Sequence, residues 1–498
     1  MCGICGVVSA GGSVDLERGA TSEHENGDRA IANENGTVHV VLDGTIYNHR
    51  ELRRELERSG HRFRTQADAE VLVHLYEQHG EGFAERLRGT FAVAVWDARQ
   101  RRLVLGRDRF GIKPLYYRDT GGELSFASAL RPFARGEIDA DALEAFLAFN
   151  SIPAPLTIFR GTRKLPAGHL LLWEDGRVRL ERFVRPAPLD VRVDEEAELV
   201  EEVRSRIRDS VRAQLVSDVP VGVLLSGGVH SSLLAALAAE ESSTPLPTFT
   251  IAVHERSFDE LADARSVADR YGTRHRELVV LRDADLLLPA LADAFDEPFA
   301  DVSALPLFLV SDLAANDVNV ALSGAGGDEL FGAPRDVPQE IFSPRLRAEL
   351  TGRQSTSQAP EKPDRASMAH SLETRVPYLD TVVTNLALAL PTRDRKVLLR
   401  KAAAPLLPRK VVHGKKRGFS LPAETWLPFA RDTLSATTLR RQGFFRAEVV
   451  QRLLDDHVAG RDELSRQLWG LLAFTLWHER QVERRPIETR VPVLLAER

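Results

Sequence analysis

The stretch VGVLLSGGVHSSLLAALAA, Val221 to Ala239, decides the fold. It passes from a short apolar strand pattern through a Ser-Gly-Gly turn into residues spaced as a helix. Glycines let a backbone approach an anion closely. A helix start just behind them offers N–H groups and the positive end of its dipole. Leu225, Ser226, Gly227, Gly228, Ser231 and Ser232 are therefore candidate nucleotide contacts. At the centre stands His230, where a loop for a magnesium nucleotide would be expected to carry a carboxylate.

A second stretch repeats the pattern. VNVALSGAGGDELFG, Val318 to Gly332, is again strand, Ser-Gly turn, glycines and then Asp328-Glu329. Around both, short buried strands (VGVLLS, TFTIAV, HRELVV, VNVALS) alternate with amphipathic helices from Val200 onward. That alternation predicts a doubly wound parallel sheet, in which ligands sit at the carboxyl ends of neighbouring strands. Two glycine turns there suit a nucleotide, with Ser323 and Gly324 facing phosphate and Asp328 holding Mg²⁺. Taken alone, Asp328-Glu329 also reads as an ordinary helix N-terminus, where acids are favoured.

The chain before this region reads differently. Residues 1 to about 180 carry alternating or β-branched runs at TVHVVLDGTIYN, TFAVAVWD, RRLVLGRD and ELSFAS, with few helical patterns (Arg50 to Ser59, Ala69 to Gln78, Ala140 to Phe149). They predict an antiparallel α+β domain over 1–182. A proline-containing linker follows at 183–199, then an α/β domain at 200–498, mostly helical after Asp364. The polar, proline-containing run Gly352 to Asp364 is expected to be disordered.

Composition narrows the function. A net charge of −6 over 498 residues argues against a nucleic-acid binder. The apolar run Leu468 to Trp477 is about half the length that spans a bilayer, and no secretory signal is visible, so no membrane association is expected. Cys2 and Cys5 are the only cysteines, which fits two reduced thiols in a cytoplasmic protein and excludes a zinc site built mainly from cysteine.

Further blocks complete the picture: MCGICG, IYNHRELRREL, RDRFGIKPLYY, DVPVGVLLSGG, SFDELADARSVADRYGTRH, DEPFADVSALP, LSGAGGDELFG, SLETRVPYLD and KKRGFSLP. Together they resemble the glutamine-dependent asparagine synthetases over nearly the whole length. The resemblance implies a class II glutaminase domain with Cys2 as nucleophile once Met1 is removed, its α-amine acting as base. It assigns Asp68 to the α-amine of glutamine and the Gly44 N–H to the substrate. It also implies a pyrophosphatase-type ATP-binding domain that adenylates aspartate and transfers nitrogen from glutamine or ammonia. There Ile251 joins the nucleotide contacts, and Lys416 offsets charge developing on pyrophosphate. ATP and Mg²⁺ are the implied cofactors, and a homodimer the implied assembly.

Departures from the family pattern fall on chemistry. Asp43 stands where the family has an oxyanion-donating asparagine, and the Arg-Leu-Ser block that binds the glutamine carboxylate is missing. His230 replaces a metal-binding aspartate, and Ala325 a catalytic glutamate. Three readings follow. One is an ATP-dependent amidotransferase acting on aspartate or a related carboxylate. A variant of it is a specialised amide-forming ligase, like the β-lactam synthetases and lasso-peptide cyclases. The third is a degenerate nucleotide-binding homologue with a regulatory or scaffolding role.

Overall fold

The computed structural model describes residues 3–9, 14–18, 30–134, 136–184, 195–253, 258–280, 284–332, 361–414, 423–485 and 496–497. The first half is built on two antiparallel sheets. One contains β1 (Ile4–Ser9), β2 (Val14–Arg18), β7 (Tyr116–Asp119), β8 (Glu123–Ala127) and β9 (Arg163–Lys164), in the order β2-β1-β8-β7-β9. The other contains β3 (Ile31–Ala32), β4 (Val38–Ile46), β5 (Gly89–Asp97), β6 (Arg102–Arg107), β10 (His169–Glu174) and β11 (Arg177–Arg182), in the order β11-β10-β6-β5-β4-β3.

Strand β5 shows why the sheets stack. Its Ala92, Ala94 and Trp96 join the core against the five-stranded sheet, with Ile4, Leu124 and Phe126. Its Phe91, Val93 and Val95 point the other way, into a core with Leu52 and Leu56 of α1 (His49–Arg58) and Leu72 and Leu75 of α2 (Glu70–His79). A strand buried on both faces reads as a continuous apolar run, as this one does. The predicted helix at 140–149 is observed as α3 (Ala140–Phe149), because the Asp139 carboxylate accepts from the Asp141 and Ala142 N–H groups at its start.

The second half is the expected doubly wound sheet. It contains β12 (Val221–Leu224), β13 (Pro247–Val253), β14 (Arg274–Val280), β15 (Val320–Leu322), β16 (Glu373–Arg375) and β17 (Ala496–Glu497). The order is β16-β15-β12-β13-β14-β17, parallel except for β17. One face packs on α4 (Glu196–Leu215), α5 (Val229–Glu241) and α6 (Phe258–Tyr271) through Val203, Leu234 and Val267. The other packs on α7 (Ala284–Ala294) and α8 (Ala304–Ala315) through Leu291 and Leu309. The chain winds outward from β12 to β14, then returns to place β15 on the other side of β12. The switch point therefore lies between β12 and β15.

One expectation needs amendment. The run Gly352 to Asp364 is not disordered at its end: the helix Lys362–Met368 begins inside it, and Asp364 is only 4% exposed. Polar composition hid the fact that Asp364 meets a cation from the other domain. Residues 352–360, and the part of the expected linker at 185–194, lie outside the described residues. The two halves also share a core. Tyr116, Phe133 and Phe146 from the first pack with Trp426, Leu472 and Trp477 from the second.

Candidate active sites

The two glycine turns meet at the switch point. Leu225 stays in the sheet: its N–H donates to the Phe249 carbonyl (2.8 Å) and its carbonyl accepts from Thr250 Oγ1. Gly227 takes φ +77°, and a Cβ there would lie 2.5 Å from the Glu260 carbonyl oxygen, so only glycine fits. Ser226 and Gly228 are exposed at the turn, and Gly228 starts α5 with no side-chain cap. That arrangement leaves the anion-binding end of the helix unblocked by its own cap residue.

The serines divide their labour. The Ser231 hydroxyl accepts from the Ser226 N–H (3.1 Å), lies 2.9 Å from Ser226 Oγ and donates to the Gly228 carbonyl (3.2 Å), so it shapes the loop. Ser232 is fully buried in α5, its hydroxyl without a hydrogen-bond partner among the described residues. Ile251 sits half-buried on the neighbouring β13. After β15, the Ser323 N–H donates to the Arg375 carbonyl (2.8 Å), and a Cβ on Gly324 would come within 3.0 Å of the Ser231 nitrogen. The second turn thus closes directly on the first.

His230 lies between them. Its ring covers Gly327, where a Cβ would meet Cδ2 at 2.6 Å, and it stands edge-on to the Tyr378 ring with centroids 5.5 Å apart. The Tyr378 hydroxyl donates to the His230 carbonyl (3.1 Å). Burial, and then the charge of Asp328, raise Tyr378 above the usual tyrosine range, so it remains a donor. His230 Nδ1 is 3.9 Å from Asp328 Oδ2. Asp328 opens α9 (Gly327–Phe331) and is accessible. A glycine-lined cradle fits a triphosphate. One carboxylate supplemented by phosphate oxygens fits Mg²⁺, whereas the imidazole adds a donor that this hard ion disfavours. Lys416 lies outside the described residues.

The N-terminal site is organised around residue 3. Cys2 lies outside the described residues, but the N–H groups of Gly3 and Ile4 both donate to Ser128 Oγ, at 2.8 and 3.0 Å. Asp43 presses on this strand start: a Cβ on Gly3 would lie 2.1 Å from Asp43 Oδ2. Gly44 takes φ +128°, with a Cβ that would sit 2.0 Å from the Thr90 carbonyl, so the β4–β5 pairing itself demands glycine. Asp68 is half-buried and accepts from the Ile46 N–H (2.8 Å); burial raises its carboxyl above the usual range.

Sequence reading missed the cation beside this site. Lys113 Nζ is 3.5 Å from Asp43 Oδ1 and 2.6 Å from Asp364 Oδ1, and the side chain is 5% exposed. Burial alone would lower the ammonium group. The carboxylates of Asp364, Asp43 and Glu373 reverse that and hold it well above the ordinary lysine range. The negative charge expected at Asp43 is therefore partly offset. Only the block RDRFGIKPLYY carried a hint, and nothing local marks its lysine as buried.

Lys113 belongs to a seam of buried ion pairs between the domains. Arg107 pairs with Glu361 (2.7 Å), Lys164 with Glu297 and Glu361, and Arg88 with Asp380 (2.7 Å). Among three cations, Glu361 is held down at about 2 despite its burial, while burial pushes Glu297 up to about 7. Thr45 Oγ1, one residue after Gly44, donates to Glu373 on β16 (3.0 Å). A cavity of about 200 Å³ also opens at this seam, lined by Tyr47, Phe91, Arg109, Phe183 and Asp380. None of the glycine-turn residues lines it.

The chain resembles known proteins over most of its length. A family model described as "Glutamine amidotransferase domain" matches residues 15–184, and one described as "Asparagine synthase" matches residues 202–359 and 353–479. The chain is 30% identical to asparagine synthetase [glutamine-hydrolyzing] 1 of Bacillus subtilis, covering 93% of this chain and 88% of that protein. It is also 30% identical to a putative asparagine synthetase [glutamine-hydrolyzing] of Mycobacterium tuberculosis, over 89% of this chain and 84% of the relative. Asparagine synthetase [glutamine-hydrolyzing] 3 of Arabidopsis thaliana is 31% identical, over 81% of this chain and 70% of the plant protein.

Proposed function

The chain belongs to the glutamine-hydrolysing asparagine synthetase family, and we propose that it is an ATP-dependent ligase activating aspartate or a related carboxylate. The observation that carries this reading is the meeting of two glycine turns at the β12–β15 switch point, with Asp328 beside them. A carboxylate is a poor acceptor for an amine until one oxygen becomes a good leaving group. Attack of that oxygen on the α-phosphorus of ATP forms the acyl adenylate and expels pyrophosphate. Backbone N–H groups of the turns would hold the phosphates, and Asp328 would hold Mg²⁺, whose charge would offset theirs. Lys416 offsets the charge on departing pyrophosphate, and ammonia then displaces AMP.

In this reading the glutaminase half uses Cys2 as nucleophile, with Asp68 on the substrate ammonium group and the Gly44 N–H near the reacting amide. A carboxylate at Asp43 repels the oxyanion that an amide would stabilise. We expect glutamate release by the unchanged chain to lie near background. Asp43→Asn should raise it by roughly 10²-fold, the order that one oxyanion donor contributes. Rapid release by the unchanged chain that Cys2→Ala abolishes would contradict this.

The reading is tested by ATP consumption and by exchange of labelled pyrophosphate into ATP across a panel of carboxylic acids. With aspartate, exchange should be weak or absent, because Ala325 carries no carboxylate and His230 is a poor magnesium ligand. Turnover with another acid would name the substrate. A second reading, a nucleotide-binding homologue without turnover, is favoured by the packing of His230 between Gly327 and Tyr378. ATP binding in calorimetry with no consumption on any acid would select it, and no association with ATP would exclude both.

A further inference from the structure

Away from both sites, four side chains converge on the outer side of the six-stranded sheet. Glu34 comes from the turn between β3 and β4, His61 from the link between α1 and α2, and His74 and Glu77 from one face of α2. One ligand atom from each lies within 4.8 Å of all the others. His74 Nδ1 is 3.5 Å from Glu34 Oε2, and His61 Nδ1 is 3.9 Å from Glu34 Oε1 and 3.8 Å from Glu77 Oε2.

His74 sets this cluster apart from a solvated charge patch. It is 1% exposed, yet among the described residues neither ring nitrogen has a hydrogen-bond partner. A buried imidazole normally places at least one nitrogen in a hydrogen bond, since leaving it unmade costs about 1–3 kcal/mol. Phe63 packs edge-on against the ring at 4.5 Å, and His61 lies 4.9 Å away, so Nδ1 is held toward the carboxylates. On the opposite side, Nε2 faces Glu70 Oε1 at 4.0 Å. A ligating histidine with its second N–H directed at a carboxylate is the usual outer arrangement of a metal site.

We propose that Glu34, His61, His74 and Glu77 bind one Zn²⁺ ion. Two imidazole nitrogens and two carboxylate oxygens form a closed tetrahedral donor set for this ion. Bonds of about 2.0–2.2 Å put ligand atoms roughly 3.3 Å apart, so the present separations must contract. Glu77 is exposed and Glu34 and His61 are half-buried, so these three can close on the fixed His74. Hard Mg²⁺ is disfavoured by the two nitrogens. With all four positions taken by protein, the ion is structural. It ties the two ends of the segment 62–73 to the β3–β4 turn, and that segment carries Asp68.

The test uses the full chain with any affinity tag removed, stripped with chelator and titrated with ZnCl₂. We expect one ion per chain by elemental analysis after dialysis, a higher thermal midpoint, and the visible absorption of tetrahedral Co²⁺ when CoCl₂ replaces zinc. His61→Gln, at a half-buried position, and Glu77→Gln, at an exposed one, should each weaken binding at least tenfold while the apo circular dichroism stays unchanged. Cys2→Ser with Cys5→Ser should leave binding intact. Substoichiometric zinc, unchanged affinity in both single variants, or loss of binding in the cysteine variant would each overturn the proposal.

Discussion

Lys113→Met should lower the thermal midpoint by roughly 3–5 °C, because removing one partner of a buried pair costs about 3–5 kcal/mol. Lys113 Nζ bonds Asp364 at 2.6 Å and lies 3.5 Å from Asp43, and both Lys113 and Asp364 are almost fully buried. Its loss strands a buried carboxylate at the domain seam, with only the charge of Arg365 left to offset it. Lys113→Met combined with Asp364→Leu removes both charges and should recover much of the loss, since apolar groups of similar size replace a buried pair at little cost. The paired melting curves decide the matter. A single variant within 2 °C of the parent would mean that the seam does not depend on this contact.

The other large effect is expected at the nucleotide site. His230→Asp with Ala325→Glu should raise aspartate-dependent pyrophosphate exchange by roughly 10²-fold or more, the usual contribution of a placed acid–base group. The imidazole now rests on Gly327 with Nδ1 3.9 Å from Asp328, so an aspartate there adds a second hard oxygen donor beside the first. Ala325→Glu restores a side chain able to carry a proton. Exchange as slow as in the parent would show that the positions are wrongly matched or that the surrounding site has changed further. Strong exchange by the parent would mean that neither substitution limits adenylation.

Much of this was legible in the chain. Alternation of short apolar strands with amphipathic helices predicts a doubly wound sheet, and the β12 to β15 topology bears it out. Strand periods in TVHVVLDGTIYN and TFAVAVWD correspond to β4 and β5, paired antiparallel. The two Ser-Gly turns were readable as partners because glycine is demanded wherever backbone must approach backbone or anion. Gly227 and Gly44 satisfy that demand against the Glu260 and Thr90 carbonyls.

Other features left no local trace. β16 is three residues of mixed polarity, and only its pairing with β15 makes it a strand. Asp364 lies in a polar run whose composition suggests disorder, yet it is buried by a lysine 251 residues away. The four proposed zinc ligands are scattered from a turn to a helix, and only the stacking of α2 on the sheet brings His61 to His74.

Sequence by itself determined the fold class of each half, the longer elements and the family, since periodicity, turn chemistry and motif spacing are properties of neighbours along the chain. Tertiary structure alone decided which polar side chains meet: Lys113 with Asp364, and His74 among carboxylates. Electrostatic interaction and desolvation depend on distance through space and on access to water, and neither quantity is written along a chain.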